Sequence, residues 1–215
     1  MSKSVYSLVL TDEVVAQIDR AAYANNTSRS NLVNQILAEY VSFVTPERRM
    51  REIFSAAERD LAASGAFRFA GQTADAVFSL RSALVYKYNP TVQYSVELYR
   101  DALPVLGELR VTIRSKSEPL LNELYAFFRY WALLENRLTG QTDSTFSDVR
   151  FTRKLILRAD GDPRSGTVGS VIAAYISLLD GAMKLWFSLA DDRAEADRRI
   201  QNDYRNYLAR NGIRV

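Results

Sequence analysis

Seven basic residues fall opposite apolar positions in the alternating runs of the middle and later chain: Arg81, Lys87, Arg110, Arg114, Arg150, Lys154 and Arg158. A period of two sets such residues on one face of a sheet. Only Glu97 and Glu108 oppose them there, with Gln93, Tyr99 and Thr112 nearby. Such a face can take an anionic ligand, DNA included. An ordinary solvated sheet face with cross-strand Arg–Glu pairs has the same pattern. Other chemistry is limited by what is missing, since the 215 residues include no His and no Cys. That removes Ser-His-Asp catalysis, imidazole proton transfer, thiol nucleophiles and His/Cys metal sites. Carboxylates stand singly or as pairs such as Asp191-Asp192, which suit helix capping. Gly161, Gly166 and Gly169, with Arg164, precede an apolar run but lack the Gly-Lys-Ser/Thr of a phosphate-binding loop. No enzymatic activity, metal or cofactor is expected.

The elements that must carry the basic face follow from the hydrophobic pattern. Residues 77–88 and 91–100 alternate on either side of Asn89-Pro90, as a β-hairpin does. Residues 107–115 and 149–158 read as two further strands. Helical spacing marks residues 46–65, 117–140, 167–189 and 193–210. Residues 66–76, with Gly71, and 141–147 read as loop, and a domain boundary is expected in the first of these. The fold class expected is α+β, with an antiparallel sheet packed by helices. Hydrophobic residues make up 47% of the chain, enough for a substantial core, and the net charge is +3. No stretch of membrane-spanning length and no signal peptide is expected, which gives a cytoplasmic setting and no membrane partner.

Residues 3–44 are organised differently. In the run before Thr11, Tyr6, Leu8 and Leu10 fall on one face, and Lys3, Val5, Ser7 and Val9 on the other. This is a strand pattern. Thr11, Asp12 and Glu13 suit a helix start, and Val14, Ile18, Ala21 and Ala22 recur at helical spacing. Asn25-Asn26 suits a stop. Ser28 suits the cap of a second helix, whose stripe is Leu32, Val33, Ile36, Leu37, Tyr40 and Val41. One strand and two short helices cannot bury their own apolar face, so this unit must pair with the rest of the chain or with a second copy.

The stretch resembles the ribbon–helix–helix family of DNA-binding regulators, of the Arc and CopG kind. The residues that carry the resemblance are 6–10, 11–13 and the turn Thr27-Ser28-Arg29-Ser30 with Asn31-Leu32-Val33. The resemblance implies a homodimer, with higher order on DNA also open, whose paired strands enter the major groove of double-stranded DNA. By position it implies base contacts from Lys3, Val5, Ser7 and Val9, and phosphate contacts from Ser28, Arg29 and Ser30. The two valines can meet thymine methyl groups but carry no hydrogen-bonding group. The organisation expected is a ribbon–helix–helix unit over 1–45, a connecting helix over 46–65, and a C-terminal α+β domain over 77–215 for sensing, interaction or assembly. The function expected is a sequence-specific transcriptional regulator, a repressor or autoregulator. A protein–protein scaffold that uses the unit only to dimerise, and an antitoxin-like regulator, are the alternatives. A ligand or protein partner of the C-terminal domain is left open.

Overall fold

The computed structural model describes residues 5–41, 44–74, 76–87, 89–100, 104–140, 143–147, 149–157 and 164–210. The chain divides into two compact units, Met1–Arg49 and Met50–Val215.

The first unit holds α1 (Asp12–Ala24) and α2 (Arg29–Tyr40). Two acids, Asp12 and Glu13, open α1 where the helix dipole is positive. Asn25 closes it, and Asn26 takes a left-handed φ of 51° that turns the chain toward α2. The Ser28 hydroxyl accepts a bond from the Asn31 amide at 3.3 Å, which caps α2. Residues 5–11 join no strand ladder, and Thr11 ahead of α1 has an extended backbone. The strand expected there is therefore absent: the first regular element of the described residues is α1.

The second unit is mixed helix and antiparallel sheet, as the hydrophobic pattern implied. Six strands lie in the order β1-β2-β3-β4-β6-β5: β1 (Arg68–Ala74), β2 (Val77–Ala83), β3 (Thr91–Leu98), β4 (Val105–Ile113), β5 (Ser144–Phe146) and β6 (Arg150–Ile156). Every neighbouring pair is antiparallel. The stretch expected as a linker is instead β1, an edge strand with register shifts against β2. Its Ala and Gly content hides it, since edge pairing depends on tertiary context more than on propensity. Three residues of the expected loop 141–147 form the short edge strand β5.

Alternate residues of the strands turn inward. Phe78, Leu80, Tyr94, Val96, Leu109, Val111, Phe151 and Leu155 form a core with α3 (Pro46–Ala63), α4 (Glu118–Thr139), α5 (Ser165–Ser188) and α6 (Arg193–Arg210). Phe54 of α3 stacks on Phe78 and Phe128 of α4 on Phe151, with ring centroids 5.6 and 5.5 Å apart. From Met50 onward α3 is part of this core rather than a connector, so the division of the chain falls ahead of the expected boundary. Gly169 explains how closely α5 meets α3: a Cβ there would lie 2.3 Å from the Ile53 carbonyl oxygen. Gly166, ahead of the expected start of this helix, lies inside it together with Gly169. With 24 residues and an 18-residue window of mean hydropathy 1.4, α5 is long and apolar enough to cross a membrane, contrary to expectation. Of that window, 61% is buried inside the fold.

Candidate nucleic-acid interface

The residues read as DNA contacts lie in the first unit. Val5, Ser7 and Val9 are exposed, and Val5 and Val9 are as open as in an extended chain. Leu8 and Leu10, on the alternate face, are 60% and 41% exposed. Lys3 lies outside the described residues. Ser28, Arg29 and Ser30 stand together at the start of α2, but they are not equivalent. Ser28 is occupied by the cap. Arg29 makes two bonds to Asp19 of α1, from Nε to Oδ1 at 2.6 Å and from Nη2 to Oδ2 at 2.5 Å. This pairing holds the Asp19 carboxyl below its usual range and raises the Arg29 guanidinium, in each case chiefly through the side-chain hydrogen bond. The sequence reading missed Asp19, which lies within α1 ten residues before Arg29, and no local pattern marks that pairing.

Burial in this unit is slight. Among the described residues of α1 and α2 only Ala22 and Ala38 are buried. Val14, Ile36, Leu37, Tyr40 and Val41 are all exposed, though they form the apolar stripes that should fill a core.

The basic sheet face resolves into rows when strands are followed across the sheet. One row runs Arg68, Arg81, Gln93, Thr112 and Arg150. Arg114 and Lys116 continue from the end of β4, and both are exposed. Arg68, Arg81, Arg114, Lys116 and Arg150 form no ion pair among the described residues. Gln93, Thr112, Arg114, Ser115, Lys116 and Arg150 line an open groove of about 740 Å³. A second row holds Glu97, Glu108 and Lys154. Here the charges are matched: Arg110 bonds Glu108 and lies 3.9 Å from Glu97, and Lys154 bonds Asp143 at 2.5 Å.

Of the seven cations expected on this face, Arg81, Arg114 and Arg150 thus have no ion-pair partner among the described residues. Arg110 and Lys154 belong to the neutralised end. Lys87 lies in the turn after β2, beyond the strand, and Arg158 is outside the described residues. Arg68 and Lys116 were missed: Arg68 because β1 was read as linker, Lys116 because it follows the strand.

Inside the sheet, Arg153 interrupts the apolar face of β6 and meets a buried carboxylate. Its Nε lies 3.1 Å from Glu135 Oε1, and neither side chain is more than 6% exposed. Tyr175 and Tyr204 each donate to the same Glu135 oxygen, at 2.8 and 3.1 Å, and Trp131 Nε1 donates to the Tyr175 hydroxyl at 3.1 Å. Burial pushes the Glu135 carboxyl up, while Arg153 and the two hydroxyls oppose that shift. The cluster joins β6 to α4, α5 and α6. Among the described residues no group of three or more acidic side chains could hold a metal ion.

No family model, curated protein or solved structure matches the chain.

Proposed function

We propose that the chain is a sequence-specific DNA-binding transcriptional regulator, a repressor or autoregulator, that acts as a ribbon–helix–helix dimer. The observation that carries this reading is the unfinished core of the first unit. Twelve of the seventeen exposed large apolar side chains among the described residues lie between Val5 and Val44. A unit with that much open apolar surface is completed by an equivalent copy. Paired through residues 5–10, two copies bury Tyr6, Leu8 and Leu10 and turn Val5, Ser7 and Val9 outward, toward the major groove. The Ser28 turn of each copy then meets a backbone phosphate, with Arg29 released from Asp19.

The scaffold reading draws on one specific observation, that Arg29 already has a carboxylate partner. In that reading the unit dimerises and touches no DNA. Selection of binding sites from random duplex DNA with the full-length protein at modest salt separates the two. The regulator yields an enriched palindromic or repeated motif. A folded dimer that enriches nothing is a scaffold, and the valines of the ribbon become the reason.

A further inference from the structure

The five unmatched cations of the sheet face exceed the net charge of the whole chain, which is +3. Everything outside this patch is therefore slightly acidic in sum, and the positive field is concentrated at one end of one sheet face. Clustering like charges without acids opposes folding through self-repulsion, and a bound polyanion relieves it. The matched end of the same face, where Arg110 and Lys154 have carboxylate partners, marks the contrast within a single sheet.

Dimensions decide what kind of anion fits. Neighbouring strands lie about 4.8 Å apart, so the row from Arg68 on β1 to Arg150 on β6 spans roughly 19 Å. A single phosphate group reaches only part of that width. A chain of regularly spaced phosphates reaches all of it, and Gln93 and Thr112 at the centre of the row offer further hydrogen bonds to phosphate oxygens. Single-stranded nucleic acid is held by aromatic stacking beside the basic track. No aromatic side chain lines the groove. Tyr99 stands at the charge-matched end, donating to Glu108 at 3.3 Å.

We propose that this basic row and its groove form a sequence-independent docking face for the sugar–phosphate backbone of duplex DNA. The choice of DNA among polyanions rests on the reading of the first unit as a DNA-binding module; the face itself is defined by its own residues. It adds affinity and salt dependence and no base preference.

The test is the salt dependence of binding to a random-sequence duplex, with the full-length protein carrying Arg81→Gln, Arg114→Gln and Arg150→Gln. Each lost phosphate contact lowers the slope of log K against log salt by about 0.9, so the triple variant should lose about 2.7 in slope. At about 50 mM salt it should bind at least about tenfold more weakly. The matching triple with Lys in place of Gln keeps its charges and should keep most of the slope. A control triple on α6, Arg198→Gln, Arg199→Gln and Arg205→Gln, removes the same charge elsewhere and should change the slope little. Circular dichroism and melting of each variant report whether the fold is intact.

The proposal is overturned if the Gln and α6 triples lose the same slope, if the Lys triple loses as much as the Gln triple, or if the intact protein prefers single strands. Failure of the regulator reading is visible separately. Site selection then yields no motif, while the slope still falls with the sheet-face variant.

Discussion

Both hydrogen bonds that Arg29 makes go to Asp19, and each partner feels the other. Asp19 binds its proton less readily in the folded unit than in a free chain, because its carboxylate is bonded to the guanidinium. The link between α1 and α2 is therefore fully present above the usual Asp range and is lost as pH falls through the lowered value. Amide exchange at the start of α2, followed from about pH 5 to pH 2, should show that loss, and Asp19→Asn should remove the pH dependence. The same substitution has a functional consequence. If Arg29 meets a phosphate, freeing it from Asp19 strengthens duplex binding severalfold at low salt and steepens the salt slope by up to about 0.9. An unchanged affinity and slope would leave Arg29 as a strut between the two helices. Glu135 poses the opposite problem, since its partner is buried with it. Glu135→Gln leaves the Arg153 charge inside the fold without its counter-charge, and should cost about 3–5 kcal/mol in urea unfolding. Combining it with Arg153→Met removes the orphaned charge and should recover a large part of that loss.

Elements differ in how much of themselves they display in sequence. Strands β2, β3, β4 and β6 alternate because one face is solvated and the other packs on helices, and so does the position of Arg153 beside Phe151 and Leu155. Strand β1 has no such signature. Its pairing is settled by β2 beside it, which no local pattern records. The division of charge on the outer face was likewise hidden, because it depends on which residues share a row across strands. Arg110 and Arg150 look alike in sequence, yet among the described residues only Arg110 pairs with carboxylates. Close approaches are hidden for a similar reason. A Cβ on Gly107 would lie 1.9 Å from the Glu97 carbonyl oxygen, at the register shift between β4 and β6. Gly107→Ala must push β3 and β4 apart and should cost about 1–3 kcal/mol, read from chemical denaturation of the full chain. Gly65 carries no such neighbour within 4 Å, but its φ of 65° favours glycine on its own account. Gly65→Ala should therefore cost less, roughly 1 kcal/mol.

For the whole molecule the governing fact is an imbalance between its two units. The second buries a continuous core from Met50 to Tyr207. The first buries two alanines in its helices and leaves Leu8, Leu10, Ile36 and Leu37 open. Fully burying an aliphatic side chain of this size stabilises by about 1.5–3 kcal/mol, so part burial of four such residues per chain would favour the proposed dimer against the cost of association. Sedimentation equilibrium at micromolar concentration should give twice the 24.4 kDa chain mass. Leu8→Asp with Leu37→Asp places charges on the face to be buried and should return the mass to that of one chain. The sheet of the second unit should then melt as before, because its core contains neither residue. In the proposed regulator DNA affinity should fall as well, since a monomer would present half of the proposed ribbon and half of its phosphate contacts. A double variant that stays dimeric would place the assembly contacts in the second unit, and the open apolar surface of the first would then need a different partner.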